Sequence, residues 1–345
     1  MSKSDGALYL AIDQGSHASR ALVFDEQGHI QAHAREEITT LKPQPGWIEH
    51  DPEEILAAVR TSVREIERQL GKGAGRIECA GIATQRSSVV CWDRDAGRPL
   101  SNVISWQDRR SAEWLRGFEH ASERVHAITG LVLSPHYGVS KLRWCLDELD
   151  AVRDCFDQGR LAFGPLSSFL LQRLLDEPVP VADPANASRT LVWDYRQRDW
   201  SDELLDLFGL PLNALPKSVP SRYAHGALQI GAHDVPLVLA TGDQSAALFG
   251  FGGPTPVTVH VNLGTGAFLQ QVVGPEPFAL PGLLSSVVYQ DQAQSVYVLE
   301  GTVNGAGSAI LKIADELGMD RAYMKANSAK WLDEVTDPPL FLNGV

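Results

Sequence analysis

The chain has 345 residues, of which 44% are hydrophobic and 21% charged, and its formal net charge is −13 at pH 7. This composition is typical of a globular protein, and the length suits about two domains. The negative charge argues against non-specific nucleic-acid binding, and no apolar run is long enough to cross a membrane. The N-terminus lacks a signal pattern, and the four cysteines show no metal or redox spacing. We therefore predict a cytoplasmic protein with reduced thiols.

A tight loop near the N-terminus is the first motif that carries chemistry. Residues 8–12 and 21–24 are apolar runs typical of two paired strands. The loop between them contains an acid, a glycine, a hydroxyl and an arginine: Asp13, Gly15, Ser16 and Arg20. In a phosphate-binding loop, Gly15 would let the backbone approach an anion, and Asp13 would hold a hydrated Mg²⁺. Taken alone, these residues fit an ordinary hairpin with a surface acid equally well.

The next segment predicts a helix followed by two strands. Asp51 is a good helix N-cap, and Glu54, three residues later, would complete a capping box. Apolar residues then recur every three or four positions along one helical face, at Ile55, Val59, Val63, Ile66 and Leu70. The helix should end at Gly71, and residues 77–83 and 88–92 have strand composition. Alternating strands and helices predict an α/β layered domain.

The middle of the chain is expected to be mainly helical. We predict helices through most of 108–173, an irregular connection over 178–184 and a short amphipathic helix over 200–207. A buried strand is predicted over 236–241. It should end at 242–244, and a helix should follow through Leu248.

The glycine-rich segment 250–254 is the best candidate for a domain boundary. Beyond it, residues 257–263 and 267–273 predict a second hairpin around the sharp turn 264–266. This hairpin resembles the first in structure but not in sequence. Two such loops facing each other across a cleft would bind one polyphosphate from both sides.

Several motifs in one fixed order resemble the FGGY family of carbohydrate kinases, and within it the glycerol kinases. They are residues 12–15 with Arg20, 45–52, 81–86, 106–110, 186–190, 242–244, 264–266 and 299–301. The resemblance implies an α/β, actin-like ATPase (ribonuclease H-like) fold with two domains around a cleft. The N-terminal domain would be 1–252. Residues 253–345 would be a partial C-terminal domain without the adenine-binding part.

The resemblance also implies the site residues of an ATP-dependent kinase with ATP and Mg²⁺ as cofactors. Asp243 would be the catalytic general base. The polyol pocket would be lined by Arg86, Ser87, Trp106, His136, Asp243 and Gln244. The nucleotide would contact Asp13, Gly15, Ser16, His17, Arg20, Gly264, Thr265, Gly266 and Gly307, with Asp13 as the metal ligand. The partner would be a small polyol or sugar, with no nucleic acid and no membrane, and a homo-oligomer is left open.

The pocket departs from the glycerol kinase pattern at two positions. Ser87 stands where those enzymes have a glutamate. His136 stands where they have a tyrosine, although Tyr137 is adjacent and a slip of one residue is an open alternative. Because a carboxylate is replaced by a short hydroxyl, we expect a roomier and less negative pocket that discriminates differently among polyols. A longer polyol, a ketose or a sugar acid is as good a candidate as glycerol.

The nucleotide side departs as well. His17 and Ala18 occupy two loop positions where hydroxyls are expected, and Leu311 replaces a glutamine. The chain stops about 90 residues after Gly253, whereas the resemblance implies a longer second domain; it is either a fragment or naturally short. Two alternatives to an active kinase are left open. One is a catalytically weak or inactive substrate-binding or regulatory remnant, which the departures on the nucleotide side and the short second domain favour. The other is an actin-like ATPase that acts on a protein partner, and the polyol-pocket residues argue against it.

Overall fold

The protein is described by a computed structural model over residues 6–175, 177, 179–250, 252–263, 267–303, 306–320, 322–324, 326–327 and 330, with backbone only at 303 and 306–310. Its strands are β1 Leu8–Gln14, β2 Ala18–Asp25, β3 Ile30–Glu37, β4 Glu49–His50, β5 Ile77–Thr84, β6 Val89–Asp93, β7 Val103–Ile104, β8 Leu161–Pro165, β9 Val181–Ala182, β10 Trp193–Asp194, β11 Asp199–Trp200, β12 Lys217–Ser218, β13 Arg222–Ile230, β14 His233–Gly242, β15 Val259–Leu263, β16 Ala267–Gly274, β17 Leu284–Gln290 and β18 Ser295–Val303. The helices are α1 Pro52–Leu70, α2 Ala112–Arg116, α3 Ser122–Thr129, α4 Gly138–Glu148, α5 Asp150–Asp157, α6 Leu166–Leu175, α7 Pro184–Ala187, α8 Asp202–Phe208, α9 Asp243–Ala247 and α10 Ala306–Glu316.

The first body of the molecule comprises the described residues from 6 to 250 and contains a six-stranded sheet in the order β13-β14-β5-β1-β2-β3. β5 pairs in parallel with both β1 and β14, and the other pairs are antiparallel. Along β1, alternate residues Leu8, Leu10, Ile12 and Gln14 are buried, as expected for a strand with one core-facing side. The parallel pairing brings the carboxyl ends of β1, β5 and β14 to one edge of the sheet, so the residues that follow them lie near one another.

Helix α1 packs against β2 and β3. The predicted N-cap and C-terminal end of this helix are confirmed. The Asp51 carboxylate accepts from the N–H groups of Glu53 and Glu54, and Gly71 ends the helix. The second contact of the predicted capping box, from the Asp51 N–H to the Glu54 carboxylate, is wrong. The Glu54 carboxylate instead accepts from the N–H and the hydroxyl of Thr39, because the segment after β3 brings these two donors within reach.

The segment 108–173 is mainly helical, as predicted, but contains one strand that the sequence prediction missed; the nine-residue strand β13 was missed as well. β8 lies within the expected helical run and pairs with β6 in a four-stranded sheet of order β4-β7-β6-β8. All five of its residues are buried. A short strand that is buried on both faces shows no alternation, so periodicity cannot distinguish it from a buried helix. Across the described residues, no helix is both long and apolar enough to span a membrane.

A second sheet, in the order β15-β16-β18-β17, follows residue 254 and confirms the predicted hairpin strands around 264–266. The turn itself lies outside the described residues, as does the segment from 331 to the end. This sheet packs on the first body through buried Val287 and Tyr297. It is also joined to it by a hydrogen bond from the Ser285 N–H to the carbonyl of Gly130, at 2.8 Å.

Gly130 lies where the two bodies of the molecule are in close backbone contact. It ends α3 in the left-handed conformation (φ +72°), and a Cβ there would lie 2.6 Å from the Ser285 carbonyl oxygen. Gly159 has nearly the same backbone conformation (φ +71°) with no atom within 4 Å of a Cβ. Gly159→Ala should therefore reduce the free energy of unfolding by about 1–2 kcal/mol through backbone strain alone. Gly130→Ala should lose about 1–3 kcal/mol more, because backbone atoms must move.

Urea unfolding of both variants measures this difference. Equal losses for Gly130→Ala and Gly159→Ala would contradict the close contact between α3 and β17.

Candidate active site

The first predicted phosphate loop is a tight connection between β1 and β2. The Gly15 N–H donates to the Ala18 carbonyl at 3.0 Å and closes the turn. The Asp13 carboxylate accepts from Arg20 Nη1 at 2.7 Å, and both side chains remain partly exposed. His17 is exposed at the loop tip. The loop therefore presents one carboxylate and one guanidinium at the edge of the sheet where β1, β5 and β14 end.

Ser16 connects this loop to the predicted wall of the polyol pocket. Its hydroxyl accepts from the indole Nε1 of Trp106 at 3.0 Å and donates to Gln85 Oε1 at 3.3 Å. The Ser88 hydroxyl donates to the same amide oxygen at 2.9 Å and accepts from the Trp106 N–H at 3.1 Å. Sequence reasoning assigned Ser16 to the nucleotide and did not select Gln85. The contacts show that the first loop and the indole of Trp106 form one hydrogen-bonded unit.

Asp243 begins α9 directly after β14, so the predicted order of strand and helix is confirmed and the helix starts within the predicted strand end 242–244. Arg86 follows β5, the neighbouring parallel strand, and its Nε lies 3.9 Å from Asp243 Oδ1. Burial raises the pKa of Asp243 above its usual range, while the charge of Arg86 acts in the opposite direction and that of Asp13 adds to the rise. Gly242 permits this approach, because a Cβ there would lie 2.4 Å from Cγ and Cδ of Arg86. The Gln244 N–H donates to Asp243 Oδ1 at 2.7 Å and orients the carboxylate.

A buried carboxylate in the second sheet holds Arg86 from the other side. Glu300 on β18 accepts from Arg86 Nη1 at 3.3 Å and from Gln270 Nε2 at 3.0 Å. It also accepts from Nη2 of Arg189, which in turn donates to Ser286 Oγ at 2.7 Å. Glu300 and Arg189 lie in motifs that carried the family resemblance, but sequence reasoning gave them no role. We call Arg86, Glu300 and Arg189 the arginine–glutamate cluster.

Electrostatics within the cluster favour the ionised carboxylate. Burial alone would raise the pKa of Glu300, but the charges of Arg189 and Arg86 and the hydrogen bonds outweigh it and lower this pKa to about 2. The side chains of Arg86 and Glu300 are 11% and 8% exposed, and that of Arg189 is 4% exposed. The cluster is therefore a desolvated ion network that joins the two bodies of the molecule.

The two residues that depart from the glycerol kinase pattern lie close together, because the carbonyl oxygens of Ser87 and His136 accept from the same amine of Lys141. The His136 ring lies 5.5 Å, centroid to centroid, from the Trp106 indole. Burial and four surrounding cations lower the pKa of His136 well below its usual range, so the ring is neutral at pH 7. Ser87 adopts a left-handed backbone conformation (φ 63°), and within the described residues its buried hydroxyl has no hydrogen-bond partner. Tyr137, the alternative to His136, is also buried. Burial raises the pKa of its hydroxyl, and the charge of Arg189 acts in the opposite direction.

The structure thus brings together Asp13, Ser16, Arg86, Ser87, Trp106, His136, Asp243 and Gln244. Gly264, Thr265 and Gly266 lie outside the described residues. Gly307 falls on α10, and Leu311, on the same helix, is exposed. In the part of the chain that the structure describes, no group of three or more His, Cys, Asp or Glu could hold a metal. Asp13 and Asp243 offer carboxylate oxygens, a ligand type that suits a Mg²⁺ that keeps water and phosphate ligands.

The arginine–glutamate cluster predicts a specific pH dependence of stability. The pKa of Glu300 falls from 4.5 to about 2 on folding. Its stabilisation, of about 3 kcal/mol, is therefore fully present above about pH 4.5 and is lost as the pH falls towards about 2. Glu300→Gln should be markedly less stable than the parent near neutral pH, and this difference should shrink as the solution is acidified. Chemical denaturation across that range measures it.

Glu65 is the matched control. Its pKa is also lowered to about 2, by hydrogen bonds from the exposed side chains of Arg68 and Gln69 on the surface of α1. Solvent screens such a pair, so Glu65→Gln should change stability little at any pH. A pH-independent difference between Glu300→Gln and the parent would contradict the proposed ionisation of Glu300.

Comparison with known proteins places this geometry in a family. The profile of the FGGY family of carbohydrate kinases, N-terminal domain, matches residues 8–250. The chain is 37% identical over 315 residues to the glycerol kinase of Burkholderia multivorans, covering 90% of this chain and 63% of that enzyme. The glycerol kinase of Burkholderia pseudomallei matches with the same identity and coverage. The chain therefore spans about 63% of the length of these curated relatives.

Solved structures show the same fold. Plasmodium falciparum glycerol kinase, solved with ADP, superposes with a TM-score of 0.86 at 24% identity, covering 95% of this chain and 68% of that one. A xylulose kinase from Rhodospirillum rubrum gives a TM-score of 0.82 at 20% identity, covering 93% and 65%. The predicted α/β, actin-like fold is thereby confirmed. Together, the profile match and the glycerol kinase relatives show that the chain belongs to the FGGY family of carbohydrate kinases.

Proposed function

We propose that this protein transfers the γ-phosphoryl group of ATP to a hydroxyl of a small polyol or sugar. The observation that carries the proposal is the setting of Asp243. Its partly exposed carboxylate lies beside Arg86, within electrostatic reach of Asp13 in the first loop. The domain boundary is proposed near residue 252, with the first loop and the pocket in the N-terminal domain.

Asp243 is proposed as the general base. It would accept the proton of the acceptor hydroxyl while that oxygen forms a bond to the γ-phosphorus and the bond from phosphorus to the ADP oxygen breaks. A pKa raised by burial makes the carboxylate a stronger base. The contact of 3.9 Å with Arg86 Nε is long for an ion pair, which leaves the Asp243 oxygens able to accept from a substrate. Asp13 would hold Mg²⁺, which neutralises phosphate charge when bound.

Arg86, Trp106 and Gln244 are proposed to bind the acceptor, with the indole covering its carbon chain and the polar groups contacting hydroxyls. At the wall formed by Ser87 and His136, the described side chains offer a hydroxyl and a neutral imidazole instead of a carboxylate. This supports an acceptor that is longer than glycerol or carries a carboxylate, such as a longer polyol, a ketose or a sugar acid.

A second candidate function is binding of such an acceptor without phosphoryl transfer. His17 and Ala18 favour it, because an exposed imidazole and a buried methyl group at the start of β2 then replace two hydroxyls that could bind phosphate. Asp13 and Asp243 favour transfer, since a binding protein has no need for a base beside a phosphate loop.

ADP release from Mg-ATP across a panel of polyols, ketoses and sugar acids tests the proposal. Turnover should require one acceptor class, and Asp243→Asn should lower kcat by roughly 10²–10⁴-fold with little change in acceptor affinity. Asp234→Asn is the matched control, because Asp234 lies exposed near the opposite end of β14. Acceptor binding by calorimetry without any turnover would establish the second candidate instead.

A further inference from the structure

Lys141 is a buried lysine directly behind the proposed acceptor pocket. It lies on α4, and its residue is 1% exposed. Its Nζ donates to the carbonyl oxygen of Ser87 at 3.1 Å and to that of His136 at 2.7 Å. These two carbonyls belong to the two residues at which the pocket departs from the glycerol kinase pattern, and they come from segments that are 49 residues apart in sequence.

The surroundings of Lys141 are unusual for an ammonium group. Buried charges are normally paired with an opposite charge. Among the described residues, no carboxylate forms an ion pair with Nζ; Asp108 acts on it only at longer range and is itself bound to Arg110. Burial lowers the pKa of Lys141 well below its usual range. A neutral amine keeps two N–H donors, so both carbonyl contacts persist in either protonation state.

The Ser87 backbone needs an external constraint. A left-handed conformation is unfavourable for an L-residue other than glycine by about 1–2 kcal/mol. In the described part of the chain the Ser87 hydroxyl has no partner that could offset this cost locally. The contact from Lys141 to the Ser87 carbonyl supplies such a constraint. The same amine holds the peptide that follows His136, immediately before α4 begins at Gly138.

We propose that Lys141 is a positioning residue that fixes the backbone at Ser87 and His136 and so sets the shape of the acceptor pocket. This inference rests on the proposed function for its kinetic consequence. Lys141 touches neither acceptor nor nucleotide in this role. It acts by holding the two segments through their backbone carbonyls.

Lys141→Met tests the role, since methionine retains an unbranched side chain but has no donor. The KM for the acceptor found in the panel, or its Kd by calorimetry, should rise by about ten-fold or more, while the KM for ATP stays unchanged. Leu142→Met is the matched control, because Leu142 is fully buried on the same helix. It should leave both constants within about two-fold of the parent. An unchanged acceptor constant in a folded Lys141→Met protein would overturn the proposal.

A readout that does not need activity separates this inference from the proposed function. Amide hydrogen exchange over residues 84–90 and 133–138 should become faster in Lys141→Met and stay as in the parent in Leu142→Met. If the parent transfers no phosphate, the kinase proposal fails, but hydrogen exchange still decides the role of Lys141. Unchanged exchange in both segments would overturn it. Should Lys141→Met not fold, Lys141→Leu, which also lacks a donor, replaces it with the same expected results.

Discussion

The arrangement of the candidate site depends on one buried carboxylate. Glu300 lies between Arg86 and Arg189, and each arginine belongs to the first body of the molecule while the glutamate belongs to the second sheet. Two desolvated guanidinium groups would be unfavourable without a counter-ion, so the position of β18 relative to β5 is electrostatically constrained. Glu300 therefore contributes to the site without facing the proposed reaction, because it determines where Arg86 can be.

Arg86 serves two carboxylates of different character. Glu300 is held firmly ionised by two cations and an amide, whereas Asp243 receives a long contact from Arg86 and one hydrogen bond from the Gln244 N–H, and has a raised pKa. Two acids of similar intrinsic strength thus acquire opposite tendencies from their surroundings. The same pattern separates a structural acid from a proton-accepting acid in many active sites. Gly242 makes the arrangement sterically possible, because any side chain there would displace Arg86.

Much of the fold could be predicted from local patterns. Three predicted elements were confirmed: the β1–β2 hairpin, α1 with its Asp51 cap, and the strand before Asp243. Each has a clear periodicity or a terminal residue with a defined role. β8 was missed because a fully buried short strand lacks alternation. The capping contact predicted for the Glu54 carboxylate was wrong because this carboxylate accepts from the N–H and the hydroxyl of Thr39, fifteen residues away. The turn at 264–266 and its assigned Thr265 remain predictions.

Local patterns were sufficient to predict the family, the α/β layering and which polar residues follow the strands, since ordered motifs and hydrophobic periodicity are local properties of the chain. Which of those residues contact one another depends on long-range packing. Glu300 lies 214 positions from Arg86 and 111 from Arg189, and Lys141 lies 54 from Ser87. No spacing rule connects such residues. Their pairing is set by how sheets and helices pack, because a buried charge or donor must find a partner wherever the completed core places one.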